Sequence, residues 1–171
     1  MRIFALLCLI SSAALAQQSA PHPNCALPQQ RQFDFWLGDW DLTSPGEKPG
    51  EIVHSTNSIK RILGGCIIQE NFQSGGATPL VGTSLSVFDP VAAKWKQTWV
   101  DNDGSYLDFV GAFKEGQMVL WREAAHADGS RVLQRMVWKK ITADELDWSW
   151  ERSKDAGKTW EVVWPVHYTR K

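Results

Sequence analysis

The stretch Phe33-Asp34-Phe35-Trp36-Leu37-Gly38-Asp39-Trp40-Asp41 decides how this chain is read. Nine residues hold two Phe, two Trp and three Asp, and they match no general enzyme motif. Gly38-Asp39-Trp40 is a G-x-W. We read it as the entry into the first strand of a closed β-barrel, with Trp40 sealing one end. Phe33, Phe35 and Trp36 are expected to pack a short helix, Gln29 to Leu37, over that end. Trp36, Gly38 and Trp40 are therefore assigned to barrel closure. Any pocket is expected at the opposite end.

Beyond this stretch the chain alternates short β-type runs with turn signals. Gly, Pro and Asp recur every 10 to 14 residues or so, as at Pro45-Gly46, Gly64-Gly65, Asp89-Pro90, Asp103-Gly104 and Asp128-Gly129. Regular punctuation of this kind marks an all-β sandwich or barrel. About ten strands are expected, near 39–44, 51–61, 66–73, 80–88, 93–101, 105–113, 116–124, 130–141, 145–152 and 160–169. Alternation assigns faces. Leu146, Trp148 and Trp150 point one way, and Glu145, Asp147, Ser149 and Glu151 the other. Trp164, Val166 and Tyr168 share a face, as do Trp95, Gln97, Trp99 and Asp101. Short connections favour an antiparallel meander, and closure into an up-and-down barrel removes its two exposed edges. A two-sheet sandwich would need longer crossovers.

The N-terminus reads as an export signal rather than as fold. Arg2 precedes an apolar run from Ile3 to Ile10, and Ala14-Leu15-Ala16 is an A-x-A cleavage site, so residues 1–16 are expected to leave and Gln17 to become the first residue. The run is shorter than the roughly 20 residues that span a bilayer. Residues 17–30, with Pro21, Pro23 and Pro28, form an irregular arm, and residues 31–171 a single barrel domain. The expected location is periplasmic or extracellular. Cys8 goes with the leader, and Cys25 and Cys66 remain. Two cysteines in an exported chain point to one disulfide, stapling the arm onto an early strand. The rival readings are two free thiols or a metal pair, and the sequence has neither a C-x-x-C nor a His cluster near these cysteines. Charge is nearly balanced, with 18 Lys and Arg against 19 Asp and Glu. Such balance argues against a nucleic-acid partner or an anionic membrane, both of which want a basic patch.

The opening stretch, with Ile62-Leu63-Gly64-Gly65-Cys66, Phe88-Asp89-Pro90, Trp95-Lys96-Gln97-Thr98-Trp99-Val100-Asp101 and Ser153 to Tyr168, resembles an exported bacterial family of unknown function whose members look like calycins, the lipocalin-like barrels. The resemblance covers nearly all of the mature chain and implies a lipocalin-like fold. It implies no reaction. Gly38 to Trp40 matches the lipocalin first-strand signature. In those barrels a basic residue near the last strand packs on that Trp, a place held here by Arg170. A related group, the nitrobindins, binds haem through a late His, and His167 stands in a comparable position. No cofactor is expected, and haem through His167 is the alternative.

Ten Trp are the most unusual feature of composition. They either fill a core or line a small-molecule cavity with a few polar groups. The candidate ligand-binding face is Trp95, Gln97, Trp99 and Asp101, with Glu70, which alternates with Ile68 and Phe72, as a further inward-facing candidate. Ser153 to Trp160 matches the Asp-box of sialidase-type propellers, but occurs once, and reads as a well-made hairpin. Asp101-Asn102-Asp103-Gly104 resembles the start of a calcium loop without its later Glu, so it too reads as a turn. Asp34 and Asp41 are expected to cap the short helix or bond the turn after it. Of the four His, His22 lies in the arm, His126 in a turn, and His54 and His167 on strands. No catalytic or metal-binding set emerges. The expected function is binding of a small apolar or amphipathic molecule in a Trp-lined cavity. The alternatives are an enzyme using carboxylates at the barrel mouth, and a filled-barrel interaction protein.

Overall fold

The computed structural model describes residues 25–76, 78–125 and 128–171. The expected leader 1–16, the expected arm up to residue 24, His22 and His126 lie outside the described residues. Among the described residues ten strands follow one another: β1 Gly38–Pro45, β2 Ile52–Ile62, β3 Ile67–Gln73, β4 Val81–Asp89, β5 Lys94–Asp101, β6 Tyr106–Lys114, β7 Gln117–Ala125, β8 Arg131–Lys139, β9 Glu145–Ser153 and β10 Glu161–Arg170. Each pairs antiparallel with its neighbour in sequence, and β1 pairs with β10 to close the barrel. The expected strand positions hold to within a few residues.

The expected short helix is two 3₁₀ turns, Pro28–Arg31 and Asp34–Trp36. Between them Phe33 leaves helical geometry, with φ −97° and ψ 6°. Its ring is fully buried, edge-on to Trp95 at 4.8 Å and to Trp138 at 5.3 Å. Burial of that ring, together with a segment this short, outweighs a continuous helix. Asp34 caps neither turn through its side chain. It instead forms ion pairs with Arg61 of β2 and with Arg31. Arg61 also donates to the carbonyls of Gly65 (2.7 Å) and Gln30 (3.2 Å), tying the 3₁₀ turns to the barrel rim. Asp41 pairs with Lys171 at 3.0 Å rather than serving as a cap.

Trp40 is fully buried, and its Nε1–H donates to the Trp36 carbonyl at 2.8 Å. Arg170 lies over its ring, with the guanidinium carbon 4.1 Å from the centroid. Around this plug the cap end is packed with Phe33, Trp36, Ile59, Ile68, Phe88, Trp95, Met118, Trp138 and Leu146. Cys25 and Cys66 form a disulfide, with Cα atoms 5.1 Å apart. Cys66 sits in the turn before β3, so the staple fixes the N-terminal segment at the same end of the barrel as the plug.

On β9, Leu146, Trp148 and Trp150 face inward as alternation requires. Ser149 and Glu151 face outward yet are buried. Arg135 of β8 covers them: it pairs with Glu151 at 2.6 Å and lies 3.9 Å from the Trp160 ring centroid. Ser149 Oγ donates to the same carboxylate at 2.7 Å. Trp160 closes the Ser153 to Trp160 hairpin, donating to the Gly157 carbonyl at 3.1 Å. Asp155 accepts from Thr159 N–H, Thr159 Oγ1 and Ser153 Oγ. These bonds, the Thr159 hydroxyl first, hold its carboxyl down at about 2. Among the described residues, no helix is long and apolar enough to cross a membrane.

Candidate functional site

The end of the barrel away from the Trp40 plug is not filled. There the inward rows enclose a cavity of about 220 Å³. Five indoles form most of its wall: Trp99 of β5, Trp138 of β8, Trp148 and Trp150 of β9, and Trp164 of β10. Phe72 and Phe109 join them, with Leu80, Leu107 and Met136 between. Several of the rings meet nearly at right angles, while Phe72 and Trp99 are tilted at 57°. Trp148 and Trp164 cross at 85° with centroids 5.5 Å apart, Phe72 and Trp164 at 82° and 5.9 Å, and Phe109 and Trp150 at 82° and 5.7 Å. Edge-to-face contacts of this kind are preferred by aromatic quadrupoles.

Space for the Trp99 ring comes from Gly82 of β4, which pairs with Asp101 two residues along β5. A Cβ at Gly82 would lie 2.1 Å from Trp99 Cζ2. The Trp99 indole N–H donates to Asp101 Oδ2 at 2.8 Å, and the other oxygen of Asp101 accepts from the backbone N–H groups of Asp103 and Ser105. Asp101 therefore builds the β5–β6 turn and holds Trp99 at once. Burial pushes its carboxyl up, but these hydrogen bonds together hold it below the ordinary carboxylate range. It is ionised at neutral pH.

Glu70 lies at the inner limit of the cavity and, among the described residues, is its one other carboxyl. It is held by residues from neighbouring strands. Asn57 Nδ2 of β2 donates to Oε1 at 2.7 Å, and Ser84 Oγ of β4 donates to Oε2 at 2.7 Å. Asn57 Nδ2 also donates to the Tyr168 hydroxyl of β10 at 3.1 Å. Burial pushes Glu70 above its usual range, against the pull of Ser84 and Asn57. Tyr168 is raised in the same way, first by burial and then by the Glu70 charge. Among the described residues, Asn57 Oδ1 and the Trp138 indole N–H are buried without a partner. A buried polar group left in that condition costs free energy, about 1–3 kcal/mol.

The residues singled out from sequence separate along the barrel axis. Trp99, Asp101 and Glu70 line the cavity. Trp95 and Gln97 face inward but lie deeper. Trp95 is under the cap, donating from Nε1 to Gln32 Oε1 at 3.1 Å, and Gln97 Nε2 donates to Ser86 Oγ at 2.8 Å. His167 is on the outer wall, where Nδ1 meets Asp147 at 2.9 Å, and the cavity is reached instead by its neighbour Tyr168. The cavity residues not singled out from sequence are mostly those of β8 to β10. Alternation grouped those of β9 and β10 on shared faces, but nothing in a single strand showed which face would turn inward or that a void would lie against it. No group of three or more His, Cys, Asp or Glu among the described residues is arranged to hold a metal.

A search among curated proteins finds no match to this chain. A family model does match, over residues 28–170, and it spans both the capped end and the cavity. The chain belongs to the family described as protein of unknown function (DUF1579).

Proposed function

We propose that this is an exported lipocalin-like barrel that binds one small apolar or amphipathic molecule in its Trp-lined cavity. The observation that carries the reading is the contrast between the two ends. One is packed solid around Trp40, while the other leaves about 220 Å³ walled by five indoles. An apolar cavity of about 150 Å³ is enough to hold benzene, so this space suits a molecule of one or two rings or a short chain. Export rests on the leader and on the Cys25–Cys66 disulfide, a bond that persists in oxidising compartments. The place of action is the periplasm or the extracellular space.

Binding is favoured over carboxylate catalysis because both cavity carboxyls are already engaged. Asp101 is taken up by its turn and by Trp99, and Glu70 by Asn57 and Ser84. A general acid or base needs a free approach to the proton it moves.

The test is native mass spectrometry of protein isolated from its own host, followed by titration of stripped protein with toluene. The expected results are a reproducible added mass and saturable shifts of the Leu80, Leu107 and Met136 methyl resonances. A bare mass in repeated preparations, with methyl resonances that do not respond to any small apolar probe, sinks the proposal. Leu107→Trp is the control. By filling the cavity it should abolish the shifts and leave the fold intact.

A further inference from the structure

The wall of the cavity has a sign. Among the described residues its ionisable groups are Glu70, Asp101 and Tyr168, with no Lys, Arg or His beside them. The cationic side chains on the inward strand rows are engaged elsewhere. Arg61 and Arg170 belong to the cap, and Arg152 pairs with Glu161 at the rim through Nε at 2.8 Å. Arg122 donates to Gln134 at 2.8 Å, with its guanidinium 6.0 Å from the Phe109 centroid. An anionic ligand would enter an apolar cavity with two carboxyls on its wall and only that distant guanidinium to meet it. Burial of a charge without a partner is among the largest penalties in recognition.

The aromatic arrangement points the same way. Ring faces carry the negative part of the quadrupole, and rings crossed at right angles around one space present several faces to whatever fills it. Cations bind over such faces, with Trp the strongest contributor, and aromatic boxes are the general solution for methylated ammonium groups. A primary ammonium needs up to three hydrogen-bond acceptors, and the oxygens here are mostly committed. A fully methylated, quaternary ammonium needs none.

We propose that the cavity binds a small organic cation bearing a methylated ammonium group, held over the indoles of Trp148, Trp150 and Trp164, with Glu70 and Asp101 supplying the countercharge. This rests on the cavity being a ligand site at all. Asp101, ionised at the mouth, attracts the cation. Burial pushes the Glu70 carboxyl up, and the entering cation pulls it back towards the carboxylate, any proton it holds going to solvent. The carboxylate left behind pairs with the ligand, and Asn57 and Ser84 already donate to it.

The test is a charge series of nearly constant shape: choline, 3,3-dimethylbutan-1-ol and 3,3-dimethylbutanoate. Binding is measured by calorimetry in two buffers of different ionisation enthalpy. The expected result is choline at least tenfold tighter than the neutral alcohol, with the carboxylate weakest. Choline alone should gain affinity as pH rises through the raised Glu70 value, releasing protons in that range. Glu70→Gln should reduce the choline preference and remove the proton release. Trp164→Leu, at the more exposed end of the wall, should weaken choline tenfold or more while leaving the alcohol within about twofold. Equal or tighter binding of the alcohol overturns the inference and leaves the cavity reading standing. Tighter binding of the carboxylate also overturns it and transfers the role to Arg122. Failure of all three with toluene still bound removes the cation alone, whereas failure of toluene as well removes both readings.

Discussion

Arg170, one residue from the end of the chain, lies 4.1 Å from the ring centroid of Trp40 and binds the backbone around it. Its Nη1 donates to the Leu37 carbonyl at 2.6 Å, Nη2 to Phe35 at 3.1 Å and Nε to Ala143 at 2.7 Å. Three carbonyls and one ring face take up most of what a planar guanidinium offers. Lysine carries a point charge and no such fork. Arg170→Lys should therefore destabilise by about 1–3 kcal/mol, and Trp40→Ala by about 3–5 kcal/mol. Both are read as the shift in the urea midpoint. Gly38→Ala belongs to the same series. Its φ is +120°, and a Cβ there would lie 2.6 Å from Arg170 Nη1. An Arg170→Lys protein as stable as the parent would show that the clasp does not hold the plug.

The disulfide closes a loop across a separation of 41 residues. On the chain-entropy account that lowers the entropy of the unfolded chain by an amount worth about 4 kcal/mol. Cys25→Ser with Cys66→Ser should lower stability by about that much, with an unchanged near-ultraviolet spectrum at low temperature. Both cysteines lie at the plugged end, so toluene titration of the double variant should match the parent wherever it is folded.

Two interior glycines make room for different neighbours, and the two alanine variants should differ accordingly. At Gly111 a Cβ would come within 1.8 Å of the Val119 carbonyl oxygen, which the sheet holds in place. At Gly82 it meets the far end of the Trp99 ring, which can swing into the cavity. Gly82→Ala should cost about 1–3 kcal/mol, and Gly111→Ala more than that. In a Trp99→Ala background the cost at Gly82 should largely vanish, while the cost at Gly111 should remain. Equal costs at Gly82 in both backgrounds would mean that the collision is not with Trp99.

Glu70 makes stability depend on pH with a definite sign. Unfolded, its carboxyl titrates near the ordinary value of 4.5, and burial raises it in the fold. Between those two values the unfolded chain has lost the proton and the folded chain retains it. The Glu70 contribution is thus fully present below about pH 4.5 and declines as pH rises through the raised folded value. Glu70→Gln is neutral in both states and lacks this slope. Stability curves of the two proteins from pH 4 to 8 should diverge in favour of the Glu70→Gln variant as pH rises. Parallel curves would place the Glu70 proton elsewhere. Glutamine keeps an acceptor for Asn57 or Ser84, so the comparison isolates charge rather than packing.

Much of the architecture was legible because it depends on local chemistry. Turn residues every 10 to 14 positions or so set the strand count, and two-residue alternation set which side chains share a face, as Trp148 and Trp150 on β9 and Trp164 and Tyr168 on β10 do. The one helix expected before Gly38 became two 3₁₀ turns because the Phe33 ring is drawn between Trp95 and Trp138, contacts between distant parts of the chain that no local propensity carries.

What the amino-acid sequence determined by itself was the all-β architecture of about ten antiparallel strands, the pairing of Cys25 with Cys66, and which residues of β5, β9 and β10 share a face, because periodicity and composition act over a few residues. Depth along the barrel axis was decided only by the tertiary structure. Trp95 and Trp99 share one face of one strand, yet the first is sealed beneath Phe33 and the second borders a cavity. Glu70 acquires its environment from Asn57, 13 residues away, and Ser84, 14 residues away, while Tyr168 joins through Asn57 across 111 residues. Strand register and the closure of β1 on β10 bring those groups together, and a void is a property of every wall around it rather than of any one segment.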